Sequence, residues 1–232
     1  MSGIGNAVKN WTQALLTRVG ERLKPCHIHS LNAVLNYLEV GRWLKAHGFG
    51  AAPRYSKRED LQSAIGAMVA SKCVLYIEFG VFRGASLRQW ATLLSNPASS
   101  LHGFDSFEGL PEDWDAMRRK GEFNLDGQMP QFNDKRVVLH KGWFNQTLPG
   151  FDLPTHDRLV IHADADLYSS TDYLLKTLES RIVPGTILMF DEFCDRFHEM
   201  LAFEQYLERT GHKYRFLGGT RNLEQCVFQR TD

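Results

Sequence analysis

Hydrophobic and polar positions fall into two regimes that meet near Pro53. Before it, apolar residues recur at helical spacing: Trp11, Leu15, Leu16 and Val19 share one face, and Leu31, Val34, Leu35, Leu38 and Leu44 another. Gly48-Phe49-Gly50 and Pro53 interrupt that pattern. Beyond it, short apolar runs alternate with helical patterns. Val74–Phe79, Leu101–Phe104, Arg136–His140, Arg158–Ala163 and Thr186–Phe190 read as buried strands. Ser86–Leu94, Thr171–Arg181 and Arg196–Thr210 read as helices, and Ser56 with Glu59 forms a capping box that starts a further helix running to about Ser71. The tail offers Lys213–Leu217, a turn at Gly218-Gly219 and Gln225–Arg230, an antiparallel hairpin. The expected fold class is α/β, with a doubly wound, mostly parallel sheet. Residues 1–52 form an N-terminal helical extension (a lid, a dimer contact or extra core) and residues 53–232 the main domain.

Composition narrows the setting. The chain has 232 residues, 43% of them hydrophobic, enough for a sizeable core. Lys and Arg total 27 and so do Asp and Glu, so no electrostatic argument favours nucleic acid or an anionic membrane. No apolar run reaches a membrane-spanning length, and the opening MSGIGNAVKNW lacks the apolar block of a signal peptide. Cys26, Cys73, Cys194 and Cys226 are scattered without a C-x-x-C pair, which fits buried reduced thiols better than disulfides or zinc. The expectation is a cytoplasmic globular enzyme or binding protein.

The candidate chemistry starts at Val74–Ser86, VLYIEFGVFRGAS: a strand, a glycine-opened turn and a helix start. In an open α/β sheet such a turn lies at a strand's carboxyl end, where ligands collect. Gly80 and Gly84 leave room for close backbone approach. A dinucleotide fingerprint wants G-x-G-x-x-G, whereas here the first position is Glu78, which repels phosphate and suits a cationic ligand such as S-adenosylmethionine (SAM). Asp105, after the next strand, suits a ribose diol. A tight turn with a solvated acid is the plainer alternative.

Two further strands end in acids, Asp164-Ala165-Asp166 and Asp191-Glu192. If those strands are neighbours, Asp164, Asp191 and Glu192 converge, and three hard oxygen donors suit Mg²⁺ better than zinc. Helix capping competes with this reading, since Asp166 precedes a helix and Ser169-x-x-Asp172 spells a second capping box. His140 and His162 sit at strand positions, where packing is the commoner role. His198 is better placed for the rim, and Trp143 is either core or a platform for adenine. The Ser106–Lys135 connection, carrying Trp114, Phe123 and Phe132, is long enough to read as a substrate-facing loop.

Three stretches, Glu78–Ser86, Gly103–Pro111 and Asp164–Thr171, with Val183-Pro184-Gly185-Thr186 before Asp191-Glu192, together resemble the macrocin O-methyltransferase (TylF-type) family. The likeness spans about residues 54–230. It implies a Rossmann-like class I SAM-dependent methyltransferase that methylates a hydroxyl of a small molecule, a sugar or phenol of a natural product, with a divalent metal. By that resemblance Glu78, Gly80, Phe82 and Ser86 line the methionine end of SAM, Asp105 with Ser106 holds its ribose side, and Asp164, Asp191 and Glu192 bind the metal. Two departures stand out. The family usually has two aspartates where this chain has Asp191-Glu192, and the lysine base of the related catechol-type enzymes is replaced by Leu167. The base is therefore left between Asp164 and His198.

Rival expectations are a SAM enzyme without metal, a hydroxylase-like relative of the type tied to cephalosporin maturation, and a silent SAM-binding or assembly subunit. Glu78 and the missing third glycine disfavour an NAD enzyme. A homodimer is the expected assembly.

Overall fold

The computed structural model describes residues 2–232, so Met1 of the expected extension lies outside the described residues. Helices α1 (Ser2–Gly20) and α2 (Pro25–Ala46) come first. Then follow β1 (Arg54–Tyr55), α3 (Arg58–Val69), β2 (Val74–Phe79), α4 (Ala85–Leu93), β3 (Ser100–Asp105) and β4 (Val137–Lys141). The second half runs α5 (Phe144–Thr147), β5 (Arg158–Ala163), α6 (Tyr168–Thr177), β6 (Ile187–Phe190), α7 (Glu199–Thr210), β7 (Tyr214–Thr220) and β8 (Cys226–Arg230).

The eight strands form one sheet in the order β1-β7-β8-β6-β5-β2-β3-β4. Only β8 runs against its neighbours, inserted between β6 and β7, so the terminal hairpin closes a mostly parallel sheet. The chain winds from β2 outward through β3 to β4 and returns to β5 on β2's other side. That reversal opens a crevice beyond the carboxyl ends of β2 and β5. Strand alternation divides the core: Leu75, Ile77 and Phe79 face one layer with α6 and α7, while Val74 and Tyr76 face the other with α3 and α4.

The extension is not uniform. Val40, Trp43 and Leu44 are at most 2% exposed and belong to the main core, with the Trp43 indole N–H donating to Glu204 at 2.9 Å. The rest of α2 and all of α1 beyond residue 4 lie outside that core.

Several local expectations give way. Neither capping box forms: α3 begins at Arg58 after an extended Lys57, and Ser169 lies inside α6, its hydroxyl donating to Glu112. β7 runs through Gly218-Gly219 with an irregularity between Phe216 and Gly218, and the turn falls after Thr220. Asp115–Lys120 forms turns held by the Asp115 carboxylate rather than a helix. The four thiols are free, as expected, but Cys26 is exposed and only Cys226 is buried.

Candidate functional site

The turn after β2 is shaped by its neighbours. Gly80 N–H donates to the Phe104 carbonyl at 3.0 Å, and Asp164 N–H to the Phe79 carbonyl at 2.9 Å, so the sheet ladder runs one step past the strand ends. Gly80 has φ 90°, and a Cβ there would lie 1.7 Å from the Asp164 carbonyl oxygen. Its glycine is required by the adjacent strand end, whatever ligand is present. Gly84, at φ 73°, starts α4 and would meet the Phe132 ring at 2.5 Å.

Asp105 holds two loops together. Its Oδ2 accepts the Val81 and Phe82 amides, both at 2.8 Å, and its Oδ1 accepts the Phe107 amide at 2.7 Å. Ser106 Oγ likewise accepts the Glu108 amide at 3.1 Å. These bonds fix Phe82 at φ 48°, a conformation that a bulky residue keeps only under such constraint.

A cavity of about 580 Å³ opens over these turns, within the size range of small-molecule sites. Gly80, Phe82 and Ser86 form one wall, Asp105 and Ser106 another, and half-buried Trp143 stands on the wall rather than in the core. Leu110, Pro111 and Phe123 bring the long Ser106–Lys135 connection over it, with Phe123 edge-on to Phe82 at 5.7 Å. Asp164, Asp166, Asp191 and Glu192 supply the acidic side.

Glu78 sits elsewhere than its motif position suggests. Its side chain alternates onto the α3–α4 face of the sheet and is fully buried, off the cavity wall. There it begins a relay. Tyr76 donates its hydroxyl hydrogen to Glu78 Oε2 at 2.6 Å, and His162 Nδ1 lies 2.8 Å from the same hydroxyl. His162 Nε2 faces Asp191 Oδ1 at 3.4 Å, and Arg58 Nη1 donates to Asp191 Oδ2 at 2.8 Å while lying 3.7 Å from Asp164. Burial opposes charge on His162, but Asp191 and Glu78 outweigh it and carry the imidazolium up to about 10. Burial also opposes charge on Asp191, yet His162 and Arg58 hold its carboxyl below the usual range.

The rim acids behave oppositely. Asp166, at φ 60°, is pushed up to about 7 by burial, against a smaller pull from Arg118. Glu192 rises to about 8 through burial and the neighbouring Asp191 charge. Asp164 rises well above its ordinary value for the same two reasons. Fully buried Glu199 braces the rim, accepting the Glu192 amide at 2.9 Å and the Ala165 amide at 3.4 Å.

The fold thus brings Asp164 and Asp191 together with His162, their donor atoms within 4.8 Å of one another, while Glu192 lies on the cavity wall outside that trio. His198 stands off the wall: its Nδ1 accepts the Tyr168 amide at 3.2 Å and its ring meets Trp114 edge-on. Arg58 carries no signal in the sequence, because its partner Asp191 lies 133 residues away, and His162, expected to pack, instead joins Tyr76 to Asp191. Asp166 was legible as the second acid of Asp-x-Asp, and was set aside as a capping residue.

Comparison with known proteins places this geometry. Residues 77–193, half of the chain, match the model of a methyltransferase domain family. The chain belongs to that family. Within this methyltransferase, 137 residues are 33% identical to the 8-demethyl-8-(2,3-dimethoxy-alpha-L-rhamnosyl)-tetracenomycin-C 4'-O-methyltransferase of Streptomyces olivaceus. That similarity covers 50% of this chain and 52% of the relative, so the chain spans about half the length of the curated relative it matches. The fold is shared with the calicheamicin methyltransferase CalS11 (TM-score 0.59, 19% identity, 84% of this chain and 91% of that one). It is shared also with the O-methyltransferase NovP (TM-score 0.57, 20% identity, 75% and 80%). Among the described residues no helix is long and apolar enough to cross a membrane.

Proposed function

We propose that this methyltransferase moves a methyl group from SAM to a hydroxyl oxygen on the sugar of a glycosylated natural product, as a macrocin-type O-methyltransferase. The observation that carries the reading is the convergence of five carboxylates, Asp105, Asp164, Asp166, Asp191 and Glu192, on one cavity at the strand ends, inside the segment that matches the family. The sugar acceptor, in preference to a phenol, is taken from the relative whose name places its methyl on a rhamnosyl group.

SAM, when bound, supplies an electrophilic methyl on a sulfonium. Gly80, Phe82 and Ser86 would receive its methionine end, Asp105 and Ser106 the ribose, and Trp143 the flat face of the adenine. The chain's own work is then alignment, holding the acceptor oxygen behind the methyl between Phe123, Pro111 and the acids. Asp166 is the general base in this scheme. It lines the cavity, and a carboxyl near 7 is partly ionised at working pH and strong enough to take a hydroxyl proton.

The donor set suits a hard divalent cation, because five carboxylates line the cavity against the guanidiniums of Arg58 and Arg83. Asp164, Asp191 and Glu192 would hold Mg²⁺, which would lower the pKa of the acceptor hydroxyl. A metal-free enzyme is the second reading, favoured by one contact: Arg58 already neutralises Asp191 at 2.8 Å.

Calorimetry of SAM binding, followed by methyl-transfer assays on rhamnosylated acceptors with Mg²⁺ or chelator, tests all of this. SAM binding and sugar methylation support the main reading. Activity that survives chelator selects the metal-free form. Asp164→Ala should abolish turnover and leave SAM affinity within a few-fold. A chain that binds no SAM under either condition is not this enzyme.

A further inference from the structure

Helices α1 and α2 carry apolar stripes that none of the described residues covers. On α1, Val8, Trp11, Leu15 and Val19 line one side of the helix and are 45–68% exposed. On α2, Ile28, Leu31, Leu35 and Leu38 do the same at 44–67%. The opposite face of α2 is spoken for: Asn32 and Asn36 meet Arg196, and Val40, Trp43 and Leu44 enter the core. A helix apolar on both faces is built for neighbours on both sides. A helix the length of α1 is marginal in water without tertiary packing, and every described side chain of α1 from residue 5 onward is exposed.

We propose that a second copy of this chain covers the stripes, the α1 stripe of each protomer lying on the outer α2 stripe of the other. Three features select this occupant. The stripes match in length, about 16 Å from Val8 to Val19 and about 15 Å from Ile28 to Leu38 at the helical rise. Leu16 widens the α1 face and Val34 and Tyr37 the α2 face, each at least 47% exposed, so both faces are broad enough to seat a partner helix along their length. Pairing α1 with α2 reciprocally also satisfies two-fold symmetry, since each protomer contributes both halves of the contact.

The area is sufficient. The exposed apolar side chains of the two helices amount to roughly 1,000 Å² per chain, against about 800 Å² per partner in a standard interface. It also exceeds the apolar patch a monomer ordinarily leaves open. None of this depends on the cofactor cavity.

Light scattering coupled to size exclusion, on the full chain at micromolar concentration, should return twice the monomer mass. Trp11→Glu and Leu35→Lys each bury a charge in the seam and should halve it, with the near-ultraviolet circular dichroism of Leu35→Lys unchanged because Leu35 lies outside the α/β core. Mixing the two variants restores one native contact and sets Glu against Lys in the other, so the mixture should recover the dimer mass. A monomeric wild type, a dimer indifferent to Leu35→Lys, or a mixture that stays monomeric overturns the proposal. Lys9, Arg18 and Arg22 also lie on this arm, so flotation with phosphatidylserine vesicles belongs beside these measurements. Binding of a monomer to those vesicles would replace the second copy by a lipid surface.

Discussion

Asp191 and Asp166 stand at the ends of adjacent strands and line the same cavity, yet the fold treats their charges in opposite ways. Asp191 is locked between His162 and Arg58, and the Tyr76–Glu78 pair backs the imidazole from behind. Its charge belongs to the structure. Asp166 is held at a positive φ with burial working against its ionisation and no hydrogen-bonded cation to compensate. Its charge is tolerated rather than stabilised, the usual condition of a group kept for chemistry. The same residue type therefore serves as keystone in one place and as working acid–base group in the other.

The sharpest way to break this contrast is Asp191→Ala. It leaves an imidazolium and a guanidinium facing each other in a buried site without their shared carboxylate. Removing one partner of such a pair costs about 3–5 kcal/mol, so the urea midpoint at neutral pH should fall steeply and turnover should vanish with it. The sign with pH follows from the depressed carboxyl. Its stabilisation is present above its unfolded pKa of about 3.9 and is lost as pH falls through the lower folded value. A midpoint unmoved by Asp191→Ala would mean the relay carries no structural charge.

Asp166→Asn should act on the opposite sign. The loss of a positioned base lowers kcat by about 10²–10⁴-fold, with SAM affinity retained. Stability should rise. A carboxyl raised to about 7 costs folding nothing below its unfolded pKa of about 3.9, costs more as pH rises from there to about 7, and levels off above it. The variant's Tm should thus exceed wild type by about 4 °C near pH 8 and converge with it near pH 3. Scanning calorimetry at the two pH values decides the matter, and a lower Tm for the variant at the alkaline point would place Asp166 with Asp191 as a structural charge.

How much of this was legible beforehand depended on sequence distance. Five parallel strands were readable because buried runs such as Val74–Phe79 leave no other way to hide continuous apolar backbone. The acids at their ends were readable for the same reason, standing where those runs stop. Arg58 was not, since its contact with Asp191 crosses 133 residues and exists only once α3 has docked on the sheet. Glu78 shows the subtler difficulty: its motif points to the cavity, but strand alternation sends the side chain to the opposite face from Phe79. The two capping boxes misled because a local pattern competes with tertiary demand. Ser169 donates to Glu112 in the long connection, and α3 takes Lys57 rather than Ser56 as its N-cap. Four-residue α5 and two-residue β1 are too short for any periodicity to announce them.

His198→Ala carries the smallest expected effect and separates His198, one of the bases the sequence suggests, from Asp166. The ring stands off the cavity, accepts the Tyr168 amide at the start of α6 and packs against Trp114. Burial lowers its pKa, so it is neutral at working pH and its Nδ1 is free to accept that bond. Removing it strands one partly buried amide and loosens one edge contact, a loss of about 1 kcal/mol and a change in kcat within a few-fold. The acidic side of the pH–rate profile should keep its shape, because the group that must lose its proton there is Asp166. A fall beyond about 100-fold with SAM affinity intact would move the base to His198 and leave Asp166 as a capping acid. Loss of turnover in Asp166→Asn alone, with His198→Ala nearly wild type, assigns the proton to the rim acid that the fold holds near neutrality.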